Sequence, residues 1–220
     1  MWAVGRRDQL DDQHRENERN EDDARAKHNL NVPENLPKAG ESRPGLSSIC
    51  DLPLCLDSSI IEVLAAGLAV YQGKALVNSV TAEDERLHAI LPLVKRYGAA
   101  VIALPNDEME IPEEPARRLE LARKIVEVAT GSYGIALEDI VIDPLAMPVG
   151  ADTSLALRTL ETIALLRESL GVNLTLGASN VSFGMPDRGA IGAAFLSMAI
   201  AAGLTSAIMD ARSPHLVQAV

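Results

Sequence analysis

The sequence predicts an α/β fold in which a parallel sheet is built from repeated strand–helix units. Two observations predict it. From Leu52 onward, short apolar runs recur that are continuous rather than alternating, the pattern of strands covered on both faces. Between them lie longer segments with apolar residues at helical spacing. Strand-type runs alternating with amphipathic helices make βα units, and such units make a parallel sheet.

The runs fall at Leu52–Leu56, Ala75–Val77, Ala99–Leu104, Ile140–Ile142, Leu174–Leu176 and Ala207–Met209. Leu87, Ile90, Leu91, Val94 and Tyr97 form one helical face. Leu119, Ala122, Val126 and Ala129 form a second, with Pro112 and Pro115 suited to its start and Gly131 to its end. Leu155, Leu160, Ile163 and Leu166 form a third. The uncharged stretch Gly189–Met209 reads as a buried helix stopped at Gly203 and followed by a buried strand, so no membrane span is expected. Six units are countable, ending in a stub, His215–Val220. A closed barrel has eight units and about 250 residues. Periodicity alone therefore leaves two architectures open, a doubly wound sheet and a barrel lacking two units.

Residues 1–50 read differently from residues 51–220. They hold 8 Lys and Arg with 10 Asp and Glu, and between Arg6 and Lys27 only Leu10, Ala24 and Ala26 are apolar. Such a segment cannot bury enough surface to offset its ordering entropy, and it is expected to be a disordered polar tail. Two domains of unlike character are expected, with the boundary near residue 50.

The 220-residue chain carries a formal charge of −11, and 3% of it is aromatic. Phosphate neutralisation and base stacking both lack material, which disfavours nucleic acid, and the charge disfavours anionic membranes. Met1–Leu10 has no apolar core of a secretory signal, and Cys50 and Cys55 make no disulfide framework, so a cytoplasmic protein is expected. Cys55, inside a strand, is expected to be a buried thiol.

Polar residues follow each run: Asp57; Asn78 and Ser79; Pro105 and Asn106; Asp143; Ser179 and Asn180; Asp210. In parallel α/β folds the ligand sits at the carboxyl ends of the strands. Any one of these residues could instead cap a helix, but the set describes a polar pocket. No histidine follows a run and no phosphate-binding glycine motif occurs. Asp57, Asp143 and Asp210 could hold Mg²⁺ for lyase chemistry, but interleaved amides fit a heterocycle with alternating donors and acceptors better.

Leu56-Asp57-Ser58-Ser59, Ala75-Leu76-Val77-Asn78-Ser79 and Val141-Ile142-Asp143-Pro144-Leu145 resemble the pterin-binding family of (β/α)8 barrels. Within it, Gly177-Ala178-Ser179-Asn180-Val181-Ser182-Phe183-Gly184 and Phe195–Leu204 resemble the methyltetrahydrofolate:corrinoid methyltransferases. The resemblance implies a TIM-type barrel over residues 51–220. The family's first two strands have no counterpart, so an incomplete barrel of about six βα units is expected, through an upstream start or a fragmentary chain. Gly192 stands where many relatives carry Asn. The resemblance further implies that Asp57, Asn78 and Asp143 bind the pterin ring, that Asn180 acts at its N5 region, and that Gly177 and Ser179 shape the loop around it. Methyltetrahydrofolate would be the methyl donor, the cobalt would arrive on a corrinoid partner protein, and no metal would bind directly. Exposed sheet edges favour association, and a homodimer is expected.

Two alternatives accompany this reading. Dihydropteroate synthase shares the pterin positions but carries basic residues for a diphosphate where this chain has Asn180-Val181 and Asp210-Ala211-Arg212. A truncated, non-catalytic pterin-binding remnant is the other.

Overall fold

The computed structural model describes residues 52–109 and 111–220; the segment expected to be a disordered tail lies outside them. Five strands, β1 (Cys55–Asp57), β2 (Leu76–Thr81), β3 (Ala100–Leu104), β4 (Ile140–Ile142) and β5 (Asn173–Leu174), pair in parallel in chain order. A sixth segment joins through a parallel bridge between Gly177 and Ile208. The connecting helices are α1 (Ile61–Val70), α2 (Asp84–Tyr97), α3 (Pro115–Glu127), α4 (Ser154–Leu170) and α5 (Arg188–Ala202), with a short α6 (Pro214–Gln218) after the sixth segment.

Strand order decides between the two architectures. A doubly wound sheet reverses direction at a switch point, whereas here every strand neighbours its predecessor. Right-handed crossovers then put the helices on a single face, the arrangement of a barrel wall. Among the described residues that wall is not closed: β1 pairs on one side only.

Burial follows from this. Val77, Val101, Ala103, Ile140, Ile142 and Leu174 are fully buried, forming with Leu87, Ile90, Leu91, Val94, Ile125, Ile163 and Leu166 the layer between sheet and helices. The register Leu56↔Val77↔Val101↔Ile140 puts these residues on one side of the sheet. In the opposite row Leu76, Asn78, Ala100, Val141 and Asp143 are only half-buried, with Ile102 between them fully buried, because no second wall faces most of the row among the described residues. Strands were expected to be covered on both faces; among the described residues they are covered fully on one and in part on the other.

Local signals account for the helix ends. Asp84 and Glu85 open α2 and Lys95 and Arg96 close it, each complementing the helix dipole, and Gly98 caps it at φ +60°. Pro115 opens α3, as its sequence suggests. The exit differs: α3 passes into a π-helical turn, Val128–Ser132, that contains Gly131.

Three expectations need correcting. The buried face of α3 is Arg118, Leu121, Ala122 and Ile125 rather than one centred on Leu119 and Val126, which are half-buried. In α4, Thr159 and Thr162 are buried beside Ile163, their hydroxyls satisfied by the carbonyls of Leu155 and Arg158 at 2.8 and 2.7 Å, while Leu160 is half-buried. Cys55 is exposed, because among the described residues β1 pairs on one side only. No helix among the described residues is long and apolar enough to cross a membrane.

Candidate functional site

Asp57 ends β1 and pairs in register with Asn78 of β2, whose Nδ2 donates to Asp57 Oδ2 at 3.0 Å. The same cross-strand row continues through Ile102 and Val141. Asp143 lies two residues past Val141, and its amide continues the ladder by donating to the Ala103 carbonyl at 3.0 Å. Side chains alternate along a strand, so Asp57, Asn78 and Asp143 emerge on the face away from the helices. The register slips just after Asn78, a bulge of the kind that re-aims side chains beside sites.

Asp143 is held by its own turn. Its Oδ1 accepts from the Leu145 amide at 2.8 Å. Burial pushes its carboxyl up to about 6, against this hydrogen bond and the charge of Arg118, which both pull it down. Leu145 sits at φ +62°, a left-handed conformation that costs a branched residue about 1–3 kcal/mol and persists where its surroundings enforce it. Part of the enforcement is Arg118, 1% exposed, whose Nη1 donates to the carbonyls of Pro144 at 2.6 Å and Leu145 at 3.0 Å. Its Nε donates to the Pro112 carbonyl at 2.6 Å. Sequence reasoning missed Arg118. A signal was there: it stands at the head of the helical stripe Arg118, Leu121, Ala122, Ile125.

The loop after β5 carries Gly177, Ser179 and Asn180. The Asn180 amide folds back over Gly177: a Cβ at 177 would stand 2.9 Å from Nδ2 and 3.0 Å from Oδ1. The Ser179 carbonyl accepts from Arg188 Nη2 at 3.0 Å and from the buried Ser182 hydroxyl at 3.3 Å. The Val149 amide donates to the Val181 carbonyl at 2.9 Å, tying this loop to the one that begins at Asp143. Gly177→Ala is therefore expected to displace the Asn180 amide at little cost to the fold, since only a side-chain end obstructs the methyl. Its melting temperature should stay near wild type while its activity falls as that of an Asn180 variant does.

Other strand-end residues do not join this set. Asp210 is bound by Arg212, whose amide and Nε each donate to Oδ1 at 2.9 Å, and this pairing holds its carboxyl below the usual range. The Asn106 carbonyl accepts from the Ala82 amide at 2.9 Å, a loop-bracing role. Asp57, Asp143 and Asp210 do not converge, and among the described residues no group of three or more His, Cys, Asp and Glu could hold a metal ion. The Mg²⁺ reading loses its geometric basis.

A parallel barrel wall with amides and carboxylates along its inward row and strand-end loops defines an α/β-barrel protein of the strand-end ligand-binding class. More particularly, the chain belongs to the family of pterin binding enzymes, whose model matches residues 40–210. It is 36% identical to the methionine synthase of Mycobacterium tuberculosis over 186 residues, 79% of this chain but 15% of that protein. It is 30% identical to the methylcorrinoid:tetrahydrofolate methyltransferase of Eubacterium limosum, covering 77% of this chain and 64% of that one. The chain thus spans under two-thirds of the length of these relatives. Among solved structures it resembles the dihydropteroate synthase of Clostridium difficile, with a TM-score of 0.63 and 21% identity over 79% of this chain and 67% of that one. That of Yersinia pestis gives 0.61 and 17%, over 79% and 72%. At these identities the structural likeness speaks for the fold alone.

Proposed function

We propose that this protein is a methyltransferase that holds methyltetrahydrofolate by its pterin ring and passes the N5 methyl group to the cobalt of a corrinoid carried by a partner protein. The observation that carries the reading is the shared face of Asp57, Asn78 and Asp143, with Asn180 on the loop tied to Asp143's. Carboxylate oxygens accept from ring N–H groups and the Asn78 amide both donates and accepts, which suits an aminopyrimidinone edge. The two relatives whose names state methyl transfer or methionine synthesis support the reaction class.

The chemical difficulty is the leaving group, since an unprotonated tertiary amine departs poorly. Asn180 answers it with a side-chain amide whose Oδ1 accepts from N5–H, a contact that strengthens as N5 takes up a proton from solvent. A contact stronger in the transition state than in the ground state lowers the barrier selectively. When bound, the corrinoid supplies the nucleophilic cobalt that accepts the methyl group. We place Ser179 and Gly177 in the role of shaping the loop, Gly177 by leaving room for the amide. A homodimer in the cytoplasm is part of the same reading.

Dihydropteroate synthase chemistry would require cations for a diphosphate at these strand ends, and Arg212 is engaged by Asp210. The test is direct: the full chain is incubated with methyltetrahydrofolate and reduced cobalamin, and separately with a pterin diphosphate and p-aminobenzoate. Methylcobalamin formation in the first mixture is expected. Dihydropteroate formation in the second, with none in the first, would overturn the assignment.

A further inference from the structure

We propose that Arg118 is the positioning residue of the pterin-binding carboxylate: from α3 it clamps the Asp143-Pro144-Leu145 turn and supplies the positive charge against which Asp143 stays ionised. The inference rests on the reading of Asp143 as a pterin ligand.

Arginine is almost never fully buried without a charged partner. Arg118 is fully buried, and the three hydrogen bonds of its guanidinium go not to a carboxylate but to carbonyls, of Pro112, Pro144 and Leu145. A fork spread over three carbonyls is a geometric clamp. Two of them belong to the turn whose third residue, Leu145, is held in a left-handed conformation and whose first residue is Asp143. The clamp therefore fixes where the carboxylate points.

The charge has a separate use. Burial disfavours the Arg118 cation, Asp143 and Glu113 favour it, and Arg158 opposes it. Glu113 is already engaged by Arg158, at 3.5 Å, on the exposed side. For its part, Asp143 responds to two groups besides its own burial, the Leu145 amide and the Arg118 charge. Glu113 from the loop before α3 and Arg158 from α4 thus act on the guanidinium, while the guanidinium acts on the carboxylate. Without Arg118, Asp143 would be a half-buried carboxylate with one hydrogen bond and no compensating charge. Such a group takes up a proton and stops serving as a double acceptor.

The experiment uses the full chain and two variants, Arg118→Gln and Arg118→Lys, each checked for a cooperative melt. The Asp143 side-chain carbon is followed by NMR as pH is varied without ligand, and methyltetrahydrofolate binding is measured over the same range. Arg118→Gln is expected to raise the Asp143 midpoint by about one pH unit or more, and the pH below which binding fails should rise with it. Arg118→Lys should keep a midpoint near wild type, yet bind more weakly above it because the fork is gone. A folded Arg118→Gln with the wild-type midpoint would overturn the proposal. Should that variant not fold, Arg118→Lys decides: a midpoint near wild type with weakened binding above it upholds the proposal, and a raised midpoint or unweakened binding refutes it. If the wild type itself binds no methyltetrahydrofolate, the pterin reading fails, while the ligand-free titration still tests the Arg118–Asp143 linkage.

Discussion

Replacing Asn180 with alanine is expected to slow methyl transfer by about 100- to 1,000-fold, the usual effect of removing one hydrogen-bonding group aimed at developing charge. Ground-state binding should weaken far less, by about two- to tenfold, since a hydrogen bond between neutral groups is worth about 0.5–1.5 kcal/mol. The asymmetry is the informative part. Before reaction N5 carries no proton for the Asn180 Oδ1 to accept, and as N5 gains one it becomes a donor to that oxygen, so the amide acts mainly on the barrier. Single-turnover kinetics separate the two quantities. Equal losses in rate and affinity would reduce Asn180 to a substrate-positioning group, and no loss in either would make it a loop residue only. The Gly177→Ala variant offers a control, because it displaces the same amide without deleting it.

Asp143→Ala is expected to weaken methyltetrahydrofolate binding by about 1.5–3 kcal/mol, the range for hydrogen bonds to a charged group. That corresponds to about 10- to 150-fold in Kd. Asp143 also gives the wild type a characteristic pH dependence. Its carboxyl is raised to about 6, so the free protein holds it ionised above that value and protonated below. If the ionised form accepts the ring N–H groups, affinity should be flat above pH 6 and fall as pH drops through it. Asp143→Ala should abolish that limb. Retention of the same limb in the variant would assign the titration to another group.

Much of the fold was legible because burial on the helix side is so regular. Ile140–Ile142 and Ala99–Leu104 read as strands from composition alone and occur almost as read. β2 runs further than its apolar run suggests, through Asn78 and Ser79 to Thr81: both neighbours pair with it as far as Asn78, and β3 alone pairs with Val80 and Thr81 after the register slip. Asn78 therefore lies within a strand rather than after one, which is what puts its amide in register with Asp57. The last two segments were the weakest match. β5 is two residues long and the Ala207–Met209 run joins through a single bridge at Ile208.

The sequence pointed to Asp57, Asn78 and Asp143, which the structure places on one face of the sheet, because strand ends carry short polar residues in this class of fold. It could not separate Asp210, which matches the same pattern but is bound by Arg212. Nor did it give weight to Arg118, since arginine ordinarily marks the exposed side of a helix. Only tertiary packing, with three carbonyls converging on one guanidinium, keeps it in the core. Cys55 shows the converse: a thiol in a strand is ordinarily buried, but among the described residues β1 is paired on one side only and the thiol is exposed.

The central claim, that the row of Asp57, Asn78 and Asp143 receives a reduced folate, is tested most directly by calorimetric titration of the full chain with methyltetrahydrofolate, with NAD and ATP as controls. Saturable heat with methyltetrahydrofolate alone, lost in Asp143→Ala, is the predicted result. No heat with methyltetrahydrofolate, on protein that melts cooperatively, would contradict the account.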